Sequence, residues 1–213
     1  MAAPLAGGRQ INLAPEAIIT LPVRDHINRA LRSALDESGM PWLPLYEMSD
    51  LPRARSYLVA QAVASGAGRV LFVDADIVAT PEELRALARH PRVCSDGAVT
   101  GLYAMRDGKR WACHAPDERV EADGCRRAEF AGLGFACVSR ESLLTVRSAL
   151  EALHDPNFGE WHPYCVPYID PEHGYCADDV SLWRRLALAG TQLWADTHLV
   201  VGHVATFTLR SLV

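Results

Sequence analysis

Two carboxylates, Asp74 and Asp76, flank Ala75 directly after the apolar run Val70-Leu71-Phe72-Val73. Carboxylates at the carboxyl end of a buried strand lie where open α/β sheets bind ligands. Alternation along an extended chain would point them to opposite faces, whereas a turn would bring both to one site. As a pair of hard oxygen ligands they suit Mg2+ or Mn2+ bridging to a substrate's phosphates, and as a solvated turn they need no ligand. A second acidic pair, Asp178-Asp179, opens an amphipathic stretch carrying Val180, Trp183, Leu186 and Ala187. There it reads either as the favoured charge at a helix N-terminus or as a general base taking a proton from an attacking hydroxyl. His203, in the run Leu199-Val200-Val201-Gly202-His203-Val204, is either a hydrogen-bonded core histidine or a nitrogen ligand to a metal. His162, Cys165, His173 and Cys176 form two HxxC pairs that could hold Zn2+, or they are incidental to an aromatic substrate lid. Trp111 and Trp161 have two readings as well, stacking on an acceptor ring or filling core.

The elements that must position these groups follow from hydrophobic pattern. Residues 17–23, AIITLPV, read as a buried first strand. Ile27, Ala30, Leu31, Ala34 and Leu35 recur at helical spacing, and Gly39 closes that helix. Leu43 to Tyr46 form a second strand, and a helix runs from Ala54 to the Gly66–Gly68 turn. Residues 70–78 are the clearest strand. Thr80-Pro81-Glu82-Glu83 then opens a helix with a cap, a proline in the first turn and a capping-box glutamate. The order β-α-β-α-β-α implies an α/β, Rossmann-like, mostly parallel sheet flanked by helices. Strands are expected over 98–103, 135–138, 193–196 and 199–204, and helices over 141–153 and 180–189. Residues 154–177, rich in Pro, His, Tyr and Gly, read as a functional or mobile loop.

Taken in order, these segments resemble the GT-A-fold glycosyltransferases, the family 2-like group in particular. Residues 53–78, RARSYLVAQAVASGAGRVLFVDADIV, resemble the block that ends in the family's DxD motif. Gly132-Leu133-Gly134-Phe135 resembles its GxGf strand entry, with Ser139-Arg140 matching the segment that follows. Residues 175–185, YCADDVSLWRR, resemble its ED-containing helix, residues 189–196 its aG…iwvdp stretch, and Gly202-His203 its terminal vgH. The resemblance implies a transferase acting on a nucleotide-diphosphate sugar, UDP- or GDP-linked, with Mn2+ or Mg2+. Asp74 and Asp76 would be the metal motif, Asp76 foremost, with His203 completing the protein's share of the shell. Asp179 would be the acceptor-activating base beside Asp178, where the family has Glu. Arg55 would contact the donor nucleotide, Leu21, Pro22 and Val23 would lie at the nucleobase pocket, and Gly132 and Gly134 would let backbone approach the donor sugar. The family's acidic nucleobase reader has no clear counterpart unless Asp50 serves. The expected reaction is transfer to an acceptor hydroxyl, with inversion if Asp179 is the base and with retention if it only positions the acceptor, the acceptor being a glycan, a small molecule or a hydroxylated nucleobase. A nucleotidyltransferase of similar fold is the nearest rival, although the segment after the first strand, Leu21-Pro22-Val23-Arg24-Asp25, lacks that class's glycines. A non-catalytic nucleotide-sugar or zinc-binding protein is the other.

Composition bounds these readings. The chain has 213 residues, 49% hydrophobic and 22% charged, values that fit a globular protein and argue against disorder or coiled coil for most of its length. The expected division is a flexible tail at 1–16 and a GT-A-like domain at 17–213. A net charge of −5 disfavours a generally basic nucleic-acid or membrane binder. A nucleic-acid acceptor would need a local basic surface, for which Arg53, Arg55, Arg106, Lys109, Arg110, Arg126 and Arg127 are the candidates. Six scattered cysteines do not form a small disulfide framework, and no run approaches the roughly 20 apolar residues of a membrane span. The expectation is a cytoplasmic protein with reduced thiols.

Overall fold

The apolar run at the start forms strand β1 (Ala17–Val23), buried at all but one position. Helix α1 (Arg29–Ser38) starts where the Asn28 side chain accepts the Leu31 N–H, and it ends at Gly39, whose φ of 70° is the left-handed conformation glycine adopts without strain. Strand β2 (Trp42–Tyr46) and helix α2 (Leu51–Ala64) follow. The start of α2 lies three residues before Ala54 because Asp50 accepts the Arg53 N–H and Pro52 fits the first turn. Strand β3 (Arg69–Val73) is buried at every position but its first. At its end the chain turns, with the Ile77 N–H donating to the Asp74 carbonyl at 3.1 Å, before the short strand β4 (Ile77–Val78). Helix α3 (Pro81–Ala88) carries the full capping box between Thr80 and Glu83. The computed structural model describes residues 15–95, 97–105, 108–156 and 158–204; the expected tail up to residue 14 and Arg106 lie outside the described residues.

The second half is built from shorter pieces. After α4 (Pro91–Ser95) come β5 (Gly97–Leu102), β6 (Cys113–His114), β7 (Cys125–Ala128), β8 (Phe130–Ala131) and β9 (Phe135–Ser139). Helix α5 (Arg140–Ser148) stops short of the expected Leu153, which instead begins β10 (Leu153–Asp155) paired with β11 (Gly159–Trp161). A second hairpin, β12 (Tyr168–Asp170) with β13 (Gly174–Cys176), occupies the rest of the segment read as a loop. Helix α6 (Asp178–Leu188) leads to β14 (Gln192–Val200), a single long strand with an irregularity after Ala195 where two strands were expected. Strand β15 (Gly202–His203) completes the described chain.

The main sheet has the order β2-β1-β3-β9-β5-β14-β7. Strands β2, β1, β3, β5 and β14 point the same way, while β9 and β7 run against their neighbours. The sheet is therefore mixed but mostly parallel. Alternate residues of β1 and β3 enter two cores. Ile19, Leu21 and Leu71 pack with Leu31, Leu35, Leu84 and Leu87 of α1 and α3. Ile18, Val70 and Phe72 pack with Val59, Leu182, Trp183 and Leu186 of α2 and α6. Burial on both faces explains why these strands read as continuous apolar runs. Among the described residues no helix is long and apolar enough to cross a membrane.

Asn28 ties the first helix to the turn after β3. Its Oδ1 caps α1, and its Nδ2 donates to the carbonyls of Ala75 at 3.0 Å and Ile77 at 2.6 Å. Asp would serve equally well as a cap but cannot donate. Asn28→Asp is therefore expected to cost about 1–3 kcal/mol, read by urea unfolding, whereas an unchanged midpoint would mean that only the cap matters.

Candidate functional site

The turn after β3 puts Asp74 and Asp76 on one side of the sheet, where both line a cleft of about 640 Å3. Tyr103, Arg110, Trp111, Phe130, Gly132, Asp179 and His203 also line it. The wall is strongly acidic. Asp178 lies just behind Asp179, at the same helix start.

Arg55 crosses from α2 beneath this wall. Its side chain is buried, with Nη2 donating to both Asp74 oxygens at 2.7 and 2.8 Å and Nη1 donating to Asp178. Burial by itself would weaken the cation, but the two carboxylates outweigh it and hold the guanidinium above its ordinary range. Asp74 is thus turned inward, onto Arg55, while Asp76 faces His203.

His203 arrives through the β15–β4 ladder, in which it stands opposite Ile77. The Val204 N–H also donates to the Asp76 carbonyl at 2.8 Å, so backbone fixes Asp76 and His203 relative to each other. His203 Nδ1 lies 2.9 Å from the Ala104 carbonyl, which can only accept, so Nδ1 carries a proton. Nε2 then faces Asp76 Oδ2 at 3.2 Å. A nitrogen lone pair against a carboxylate is repulsive unless a proton or a cation lies between them. An Nδ1–H bonded to a backbone carbonyl is also the arrangement that orients metal-bound histidines. Tyr103 packs edge-on against the His203 ring, with centroids 5.5 Å apart.

Tyr103 accounts for the two glycines of the GxG segment. Its hydroxyl accepts the Gly134 N–H at 3.0 Å. A Cβ at Gly132 would come within 2.1 Å of that hydroxyl, and one at Gly134 within 2.7 Å of it and 3.2 Å of Asp74. Burial, then the nearby Asp74 charge, raises the phenol's pKa, so it stays protonated. Sequence reasoning missed Tyr103 and Asn28. Asn28 carried the signal of a cap three residues before Leu31, but nothing local reveals the contact of Tyr103 with Gly134.

Asp179 is half-buried at the N-terminus of α6, where a helix dipole favours negative charge. Its pKa is nevertheless raised. Burial is the largest cause, and the Asp178 charge adds to it against the Val180 N–H bond and Arg55. The folded chain therefore holds this proton more tightly than an unfolded one would. The associated stabilisation is present at low pH and is lost as pH rises through the folded midpoint.

Other candidates stand elsewhere. Leu21 and Val23 are core residues, Pro22 is half-buried, and none of the three lines the cleft. Asp50 caps α2. Trp161 is buried, whereas Trp111 is 52% exposed at the cleft. The described candidates for a basic surface include residues already held by protein groups. Arg53 pairs with Asp155, Arg126 donates to the carbonyls of Ala115 and Asp117, and Arg127 lies over Trp194. The HxxC quartet does not converge as a zinc site. Cys165 is buried beneath α2 with its N–H on Ser56, and His173 pairs with Asp170, because the two HxxC pairs belong to different local structures. Among the described residues the only cluster of three metal-ligating types is His90, Cys125 and Asp196.

No protein-family model matches the chain, and no curated protein sequence does. Solved structures do. Protein A197 from STIV aligns over 90% of this chain and 86% of its own, with a TM-score of 0.61 and 14% identity. GalNAc-T7, solved with UDP, GalNAc and Mn2+, aligns over 92% of this chain with a TM-score of 0.53 and 13% identity, and the alignment spans 45% of its own length. CMP:2-keto-3-deoxy-manno-octonic acid synthetase complexed with CTP aligns over 90% of this chain with a TM-score of 0.45. At such identities the likeness is one of fold: a Rossmann-like, GT-A-like α/β sheet.

The raised Asp179 pKa is open to direct measurement. A carboxyl-carbon NMR titration should give a midpoint above the ordinary value of about 3.9, and Asp178→Asn should lower it without restoring the ordinary value, because burial remains. An Asp179 midpoint at or below 3.9 in the wild type would contradict this electrostatic account.

Proposed function

We propose that the chain is a metal-dependent glycosyltransferase that moves a sugar from a UDP- or GDP-linked donor to an acceptor hydroxyl with inversion. The observation that carries this reading is the pairing of Asp76 with His203 Nε2, in a cleft that also holds Asp179. The carboxylate suits Mn2+ or Mg2+, the imidazole favours Mn2+ of the two, and two protein ligands leave most of the coordination sphere to donor phosphates and water. Such an ion supplies Lewis-acid stabilisation to a departing diphosphate. The fold shared with GalNAc-T7 supports the same reading.

The chain's own residues have distinct parts in this scheme. Asp179, whose proton affinity burial increases, takes the proton of the acceptor hydroxyl as that oxygen attacks the anomeric carbon. Arg55 holds the Asp74 and Asp178 carboxylates in place by hydrogen bonds, so neither swings freely in the cleft wall. Arg110 lies on the cleft, where a phosphate can reach it. The exposed face of Trp111 offers a platform for a sugar ring. This favours a glycan or small-molecule acceptor over a nucleobase in nucleic acid, since Arg53, Arg126 and Arg127 are committed to protein contacts.

Donor turnover and sugar transfer, measured separately, test the scheme. Asp76→Ala should abolish metal-dependent donor turnover. Asp179→Asn should leave donor binding intact and slow transfer by about 100-fold or more. Full activity in Asp76→Ala would refute the metal assignment, and full transfer in Asp179→Asn would remove the base.

A further inference from the structure

A second cluster of ligating groups lies away from the cleft lining, at the edge of the sheet. Strands β14 and β7 pair antiparallel, and their register sets Asp196 directly opposite Cys125. His90, just beyond α3, reaches the same point from the neighbouring turn. Its Nε2 is 3.8 Å from Cys125 Sγ and 3.4 Å from Asp196 Oδ2, and the three ligand atoms all lie within 4.8 Å of one another. Cys125 is fully buried, and the His90 and Asp196 side chains are 11% and 14% exposed.

These separations match the edges of a tetrahedral zinc shell. With Zn–S near 2.3 Å and Zn–N or Zn–O near 2.0–2.1 Å, sulfur and nitrogen stand about 3.6 Å apart and nitrogen and oxygen about 3.3 Å apart. Thiolate, imidazole and carboxylate together favour Zn2+ over the hard ions suited to the cleft. The surrounding groups fix two of the ligands. Asp196 Oδ1 accepts the His198 N–H at 2.8 Å, which leaves Oδ2 toward the cluster, and the Cys125 N–H donates to Asp123 at 3.1 Å. One contact must change: His90 Nδ1 accepts the Arg92 N–H at 3.2 Å. Coordination through Nε2 puts the imidazole proton on Nδ1 and exchanges this long hydrogen bond for a metal–nitrogen bond.

We infer that His90, Cys125 and Asp196 form a Zn2+ site that clips β7 to β14 and to the turn after α3. On loading, the Cys125 S–H bond breaks, its proton leaves to solvent, and the thiolate electron pair forms the Zn–S bond. A water completes the four positions. Nothing in this site depends on the glycosyltransferase reading, since it shares no residue with the cleft.

The test is metal content and thermal stability of the full chain, purified without chelator and titrated with Zn2+. With the cleft ligand removed by Asp76→Ala, so that the cleft does not contribute metal, the expected result is one zinc per chain and a rise in Tm on loading, both lost when Cys125→Ser or Asp196→Asn is added. Co2+ substituted into wild-type protein or Asp76→Ala should give a sulfur-to-cobalt charge-transfer band, which of the three ligands only Cys125 can supply, a readout that holds even if a Cys125 or Asp196 variant fails to fold. Zinc retained in Cys125→Ser on the Asp76→Ala background, or Co2+ bound to Asp76→Ala without the sulfur band, would overturn the site. So would a metal-free wild type that Zn2+ does not stabilise.

Discussion

Arg55 is the constraint on which the acidic wall depends. Four carboxylates, Asp74, Asp76, Asp178 and Asp179, come together from the end of β3 and the start of α6, and like charges at such distances would push the two elements apart. A buried guanidinium with one nitrogen on Asp74 and another on Asp178 holds them instead. Removing one partner from such a buried set is costly, on the order of 3–5 kcal/mol, because it strands the remaining charges. The arrangement also divides the labour among the aspartates. Asp74 and Asp178 are bonded to Arg55, while Asp76 and Asp179 line the cleft without a bond to it.

The reversed strand β9 serves the same end. Inserted between β3 and β5, it brings the Gly132–Gly134 segment alongside the turn at Asp74, where the Asp74 N–H donates to the Gly134 carbonyl at 3.0 Å. Tyr103, just beyond β5, then reaches across to Gly134, and β15 folds back on β4 to deliver His203. The Gly134 and His203 segments are thereby held on one short turn by backbone hydrogen bonds, and the Tyr103 hydroxyl adds a side-chain contact to Gly134. This favours a preorganised site.

How much of this could be read beforehand follows from where each signal resides. The β1 run, the capping box at Thr80 and the helix closing at Gly39 are local features, and the structure has them at the expected places. The mostly parallel sheet followed from the order of elements. The hairpins β10–β11 and β12–β13 were invisible because strands of three residues are too short to show an alternation. The long β14 read as two strands because Asp196-Thr197-His198 interrupts its apolar pattern. The contact of Asp76 with His203 could be expected only through a family resemblance, since it rests on a ladder between residues more than a hundred positions apart. The cluster of His90, Cys125 and Asp196 carried no spacing signal at all, whereas the HxxC pairs carried one that the fold does not use.

A transferase of the proposed kind must bind a nucleotide together with a metal ion in this cleft. The most direct measurement is a thermal-shift panel of nucleoside diphosphates, with and without Mn2+, on the wild type and on His203→Ala. At a hundred times its dissociation constant a bound nucleotide stabilises the fold by about 2.7 kcal/mol, a readily visible shift. The account predicts a shift with UDP or GDP that requires Mn2+ and disappears in His203→Ala. No shift with any base, or the same shift without metal, would contradict it.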